Sequence, residues 1–103
     1  MYLYLGLSLY YANNKKDVKP EVAGLQKADA AFDKVLVASP SYYEAYIFKA
    51  RTNSLMENDE NTIKFYEAYV AAVIAKGTEE TAKPAVIKKI AESYNTIGAT
   101  YAN

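Results

Sequence analysis

The chain has 103 residues with twelve basic and twelve acidic side chains, and this balance disfavours nucleic acid or an anionic membrane as a partner. It contains neither cysteine nor histidine, which excludes most metal sites and every catalytic arrangement that depends on those residues. Its length suits a single domain, 1–103, with a core of modest size. The lack of cysteine leaves the compartment open: cytoplasmic or, if an upstream signal was removed, periplasmic or cell envelope.

The first predicted helix covers residues 2–12 and ends at the asparagine pair that follows it. It is apolar on all sides but too short to span a bilayer, so no membrane insertion is expected. After a lysine-rich loop, Asp17 is a candidate cap for a second helix with Pro20 and Glu21 in its first turn. Helical spacing predicts that one stripe of this helix packs against the first: Val22, Leu25, Ala28, Phe32 and Val35.

The third predicted helix follows a sharp break at Pro40. Ser41, with Glu44 three residues later, forms the pattern of a capping box, in which each residue satisfies an unpaired amide of the first turn. We expect this helix to extend to about Met56. The short connection makes it an antiparallel neighbour of the second helix.

The fourth predicted helix runs from about Glu60 to Lys76, with Gly77 as its C-terminal stop. Its expected buried face consists of Tyr66, Tyr69, Val70 and Val73. A fifth helix is predicted to start near Thr78 or Thr81, with Thr81 favoured, and to run through Tyr101, with Pro84 in its first turn or at a kink. No segment shows sustained alternation of apolar and polar residues, so the chain is predicted to be all-α.

The fifth helix carries an aromatic, an aliphatic, a glycine and a tyrosine on one helical stripe: Tyr94, Ile97, Gly98 and Tyr101. Such a glycine lets a neighbouring helix approach the backbone closely. The first helix repeats the spacing with Tyr2, Leu5, Gly6 and Leu9, and the second adds Ala28, Phe32 and then Pro40. This set of residues resembles the tetratricopeptide repeat (TPR) family over nearly the whole chain.

The resemblance implies antiparallel helical hairpins stacked as a right-handed superhelix, with about five helices and two and a half repeats. The middle unit, which starts at Tyr46, matches least well, and Ala50 is its only well-kept position. Tyr2, Tyr46 and Tyr94 stand 44 and 48 residues apart, whereas the family repeats about every 34 residues. We therefore expect a divergent, bacterial-type member with extra residues in its loops. The apolar terminal helices indicate a fragment of a longer solenoid or a homo-oligomer formed through these helices.

The resemblance also implies a concave groove that binds a peptide or a helix and is lined by the first helix of each hairpin. Matching turns of the motif place these residues there: Leu3, Leu7, Tyr10, Glu44, Ile47, Arg51, Ser54, Asn95, Ala99 and Ala102. Arg51 would either orient an acidic group of the partner or pair with Glu44 or Glu57 within the chain. The function that follows is a non-enzymatic protein interaction scaffold without a cofactor or a metal.

Two other functions stay open at this point. Tyr11, Tyr42 and Tyr43 could stack on sugar rings in a glycan-binding element of a bacterial envelope protein. Alternatively, the chain is a purely structural segment of its own solenoid. The carboxylate pairs, Asp29 with Asp33 and Glu57 with Glu60, are better explained as solvated helix faces than as cation sites or catalytic pairs.

Overall fold

The computed structural model describes residues 2–12, 21–40 and 42–102, and the side chains of 5–12, 21–40 and 42–101. Within these ranges the chain forms six helices, namely α1 Tyr2–Ala12, α2 Val22–Ala38, α3 Glu44–Leu55, α4 Asp59–Lys76, α5 Thr78–Thr81 and α6 Pro84–Ala102. There is no strand in the described ranges, and the prediction of an all-α chain is confirmed for them. No described helix is both long and apolar enough to cross a membrane.

The ends of the central helices follow their capping residues. Asn58 begins α4 by accepting a hydrogen bond from the amide of Asn61 through its side chain. Gly77 ends α4 with φ of 103°, a conformation that glycine adopts without strain. The predicted stop at Gly77 is therefore confirmed.

One predicted helix start is wrong. Glu21 has extended backbone (φ −93°, ψ 120°) and is the N-cap of α2, so it lies outside the first turn. Glu44 is the first residue of α3 and Tyr43 its N-cap. The predicted capping box with Ser41 falls outside the described residues. Asp17, Pro20 and Ser41 lie outside the described residues.

The predicted single helix from Thr81 is also wrong, because the segment divides into two. The short α5 ends at Thr81, and α6 begins at Pro84. A proline is well suited to the first position of a helix, since the amide it lacks would have no intrahelical partner there. It also disfavours helical backbone at the residue before it, which is Lys83.

Helices that follow one another along the chain pack together. The α1–α2 and α3–α4 pairs form two hairpins, α2 packs on α3, and α6 packs along α4. The first hairpin is centred on Tyr10, Ala28 and Phe32. The second core is formed by Ile47, Ala50, Tyr66, Tyr69, Val70, Val73 and Val86, and it includes the whole predicted buried face of α4. Phe48 packs against both cores and joins them.

Candidate functional site

The predicted groove residues do not share one open surface. Ile47 is fully buried in the second core. Tyr10 is buried in the core of the first hairpin, where its ring lies 5.8 Å from the Phe48 ring. Neither residue lines an accessible groove, because each faces a packed neighbour. Leu7 is half-buried. The side chains of Leu3 and Ala102 lie outside the described residues.

The remaining predicted residues differ in what they contact. Ser54, Asn95 and Ala99 are exposed. Glu44, at the start of α3, accepts a hydrogen bond from the Tyr42 hydroxyl at 3.3 Å and lies 3.5 Å from the Lys89 ammonium of α6. Its carboxylate is therefore already used within the chain.

Arg51 of α3 pairs with Glu92 of α6, a partner that differs from both predicted acids. Its Nε donates to Glu92 Oε2 at 2.8 Å and its Nη2 to Oε1 at 2.6 Å. The Tyr66 hydroxyl of α4 donates to the same Oε2 at 2.7 Å. This two-pronged pair fixes α6 to the second hairpin, and it leaves the guanidinium little capacity to bind an acidic partner.

The electrostatics of this cluster agree with its geometry. Burial alone would raise the pKa of Glu92, but the hydrogen bonds from Arg51 and Tyr66 outweigh burial and hold this pKa below its usual value. Burial, followed by the bond to Glu92, raises the pKa of Tyr66 above its ordinary 10.0. Glu92 is thus held as an anion, and Tyr66 is held as its neutral donor.

Lys49 forms a second internal cluster in which both acids of a predicted carboxylate pair take part. Its side chain is 2% exposed, and its ammonium lies 2.9 Å from Asp29 Oδ1 and 2.5 Å from Asp33 Oδ1. Asn53 donates to the same Asp29 oxygen at 3.0 Å, and the Phe65 ring lies 4.4 Å from the ammonium. Asp29 and Asp33 are therefore the counter-ions of a buried lysine that joins α2 to α3.

The tyrosines proposed for sugar stacking belong to separate clusters. The Tyr43 ring lies 5.7 Å from that of Tyr69, and its hydroxyl donates to Glu80. The Tyr11 ring packs on those of Tyr10 and Phe48, at 5.2 and 6.5 Å. Tyr11 and Tyr43 thus lie in different clusters of the described residues.

A shallow cleft of about 380 Å³ lies between α1 and α2. Leu5 and Leu9 form one wall and Ala30 and Ala31 the other, with Lys27 and Lys34 also lining it. Its lining is apolar apart from the two lysines.

One face of α6 is apolar and uncovered. The row of residues directly beside this face, Val86, Ile90 and Ile97, packs into the second core. At steps of four and three residues, a second row of five exposed residues follows, which we call the open stripe: Ile87, Ala91, Tyr94, Gly98 and Tyr101. Tyr94 is 59% and Tyr101 71% exposed. Three large apolar residues of the last helix, Ile87, Tyr94 and Tyr101, are therefore each more than half exposed.

The glycine of the open stripe faces empty space. A Cβ placed on Gly98 would meet nothing within 4 Å. A Cβ on Gly6, the matching residue of α1, would lie 2.8 to 3.0 Å from three ring carbons of Phe32 in α2. Ala50, which matches them in α3, is fully buried in the core that contains Tyr66 of α4. The small residue is thus covered in both hairpins and uncovered in α6.

Sequence reasoning missed two residues that organise this region. Glu92 stands 41 residues after Arg51, and no local spacing links them. Lys49 did carry a signal, because it stands three residues after Tyr46, where the other two copies of the motif have the aliphatic residues Leu5 and Ile97. A charge at such a position requires a counter-ion nearby, and the Asp29 and Asp33 pair lies on the preceding helix.

Comparison with protein-family models, curated proteins and solved structures found no match to this chain.

Proposed function

We propose that the protein is a non-enzymatic interaction scaffold, in which stacked helical hairpins present an apolar face to a helix or peptide of another protein. The open stripe of α6 is the observation that carries this proposal. It combines two large exposed tyrosines, Ile87, and two small residues in one continuous row. Contiguous exposed apolar surface of this kind marks interaction sites on soluble proteins.

The packing order supports a repeat architecture of the TPR type. Each first helix, α1 and α3, packs on the second helix that follows it, and each second helix packs on the next first helix. In this order α6 takes the place of a first helix, because it packs on the second helix α4. A right-handed superhelix of two and a half repeats is the arrangement that we propose for this order.

The proposed contact surface differs from the concave groove expected from the resemblance. Ile47 and Tyr10 are inaccessible, and Arg51 and Glu44 are engaged with Glu92 and Lys89 of α6. A partner on that side would have to compete with existing ion pairs. On the open stripe it would displace only water, and each square ångström of apolar area buried contributes roughly 25 cal/mol.

The state of the polar side chains favours a binding role over catalysis. The acids and bases of the two clusters face one another, as in Arg51 with Glu92 and Lys49 with Asp29. Each of these charges stabilises its partner inside the fold. A general acid or base instead needs a position within reach of a substrate.

The proposal can be tested by selecting helical peptides from a displayed library on the full chain. Selected binders should lose most of their affinity for a Tyr94→Ser, Tyr101→Ser double variant, because both rings of the stripe are then removed. The matched control is Val37→Ser with Ile74→Ser, which removes two residues that are 82% and 59% exposed elsewhere on the surface. The proposal would be overturned if the selected peptides bound the control variant weakly but still bound the tyrosine variant. It would also be overturned if the library yielded no binding peptide.

A further inference from the structure

The open stripe has a structural precedent within the same chain. Gly6 of α1 and Gly98 of α6 occupy the same place in a shared pattern of an aromatic, an aliphatic and a glycine. The Phe32 ring of α2 lies directly over Gly6, and both Phe32 and Ala28 are fully buried in that hairpin. The α1–α2 interface therefore shows which kind of helix fits such a glycine.

The second hairpin repeats the precedent in altered form. Thr62 and Tyr66 of α4 keep the spacing of Ala28 and Phe32, and both are buried. They lie opposite α3, whose matching small residue is Ala50. The Phe32 ring covers Gly6 in the first hairpin, and in the second hairpin Tyr66 and Ala50 are buried in the same core.

Resting on the proposed interaction function, we infer that the partner of the open stripe is an amphipathic helix with a small residue and, four positions later, an aromatic residue. The helix runs antiparallel to α6, and its aromatic ring sits on Gly98 as Phe32 sits on Gly6. The open stripe thereby continues the row of interfaces already formed by α1 with α2 and by α3 with α4.

The charges along α6 agree with this occupant. From Ser93 to Asn103 there is no charged residue, and the same holds for α1 from Tyr2 to Ala12. The partner helix therefore meets no charged residue of α6 around Gly98, and it needs no charged residue of its own to face that region. Lys88 is exposed near the other end of α6, where the C-terminal end of an antiparallel helix would lie. A cation there interacts favourably with the partial negative charge of a helix C-terminus.

The exposed area sets the expected strength. Ile87, Tyr94 and Tyr101 are each more than half exposed, and a tyrosine can bury about 150 to 250 Å². Together they offer on the order of 400 Å² on this side, so both partners would bury about 800 Å². That area is typical of weak, transient interfaces, and we expect a dissociation constant in the micromolar range or weaker.

The test uses the chain's own second helix as a probe. A fluorescent peptide of residues 22–38, stapled between its exposed positions Gln26 and Ala30 so that it is helical when free, is titrated into the full chain. We expect saturable binding, and we expect a peptide with Phe32→Ala to bind at least tenfold more weakly.

The matching change in the protein is Gly98→Leu, which fills the place of the ring without disturbing the free protein, because nothing lies within 4 Å of it. Binding should fall at least tenfold, while circular dichroism stays that of the unmodified chain. Ala85→Leu, on another exposed position of α6, is the control and should leave binding unchanged.

Three results would overturn the inference. If the peptide binds but Gly98→Leu has no effect, the peptide is displacing α2 from α1 and does not occupy the open stripe. If sedimentation velocity shows a dimer that Gly98→Leu dissociates, and no peptide binds, the occupant is a second copy. If the peptide fails while library-selected helices bind the stripe, this partner pattern is wrong, although the interaction function itself would stand.

Discussion

Gly6 and Gly98 stand at the same place in nearly the same local sequence, yet their surroundings are opposite. Gly6 is buried beneath the Phe32 ring, whereas Gly98 lies on an exposed face of α6. A ring of α2 covers Gly6, whereas no atom of the described residues lies within 4 Å of a Cβ placed on Gly98. The local motif therefore produces a helix surface on which another helix can pack. The tertiary structure decides whether a helix packs there.

The largest expected effect comes from removing the covering ring. Phe32→Ala should lower the free energy of unfolding by about 3 to 5 kcal/mol, because a fully buried ring leaves a cavity that its surroundings fill only in part. Urea denaturation measures the change. Tyr101→Ala is the control, and its ring, 71% exposed, should change stability by less than about 0.5 kcal/mol. Equal losses in the two variants would contradict the comparison.

The next prediction concerns the contact through which Glu92 of α6 is bound to Tyr66 of α4. Tyr66→Phe removes the donor to Glu92 and should destabilise the fold by about 1.5 kcal/mol, since the bond involves a charged acceptor. The buried hydroxyl of Tyr69 has no hydrogen-bond partner among the described residues. Tyr69→Phe should therefore leave stability unchanged or raise it by about 1 kcal/mol. Thermal unfolding of both variants would distinguish the two hydroxyls, and a larger loss for Tyr69→Phe would refute this assignment.

Replacing the two glycines by alanine should change the stability of the fold in opposite directions. Gly6→Ala places a methyl group against the Phe32 ring, and overpacking of this kind costs about 1 to 3 kcal/mol. The better helix propensity of alanine returns up to about 1 kcal/mol of that loss. Gly98→Ala gains the same propensity without a clash and should stabilise the chain by about 0.5 to 1 kcal/mol. Chemical denaturation of the pair is the measurement, and changes of the same sign would break the comparison.

The smallest effect is the pH dependence of the Glu92 contacts. The pKa of Glu92 is lower in the folded protein than its ordinary 4.5. Its contribution to stability is therefore complete above that ordinary value and is lost as the pH falls through the folded pKa. Because Glu92 is about one third exposed, we expect a contribution of at most about 1 kcal/mol. Glu92→Gln should flatten the stability profile below pH 4.5, and an unchanged acid slope would contradict this role.

Much of the fold can be predicted from the sequence. The bounds of α1, the stop at Gly77 and the buried face of α4 follow from apolar spacing and capping residues, which act over a few positions. The division at Pro84 was only half recognised. Proline was compatible with a first turn, but the short α5 before it gave no periodic pattern of its own.

The candidate site was less predictable, because its contacts join residues that are far apart in the chain. Arg51 meets Glu92 across 41 positions, and Lys49 meets Asp29 across 20. The motif placed Ile47 near a groove, but α4 covers that side of α3 and buries it in the second core. The motif placed Tyr94, Gly98 and Tyr101 on one stripe of α6, but only the structure shows that this stripe is exposed.

The position of Phe48 has a consequence for how the chain opens. Its ring stacks on Phe32, 5.7 Å away, and also packs against the second core. The two hairpins thus share a side chain and should lose their amide protection together, as one cooperative unit. Helix α6 packs mainly along α4 and reaches α3 through the Arg51–Glu92 and Glu44–Lys89 ion pairs. Because one of its faces is uncovered, it should exchange its amide protons first. A partner that occupies the open stripe would slow that exchange and draw α6 into the cooperative unit.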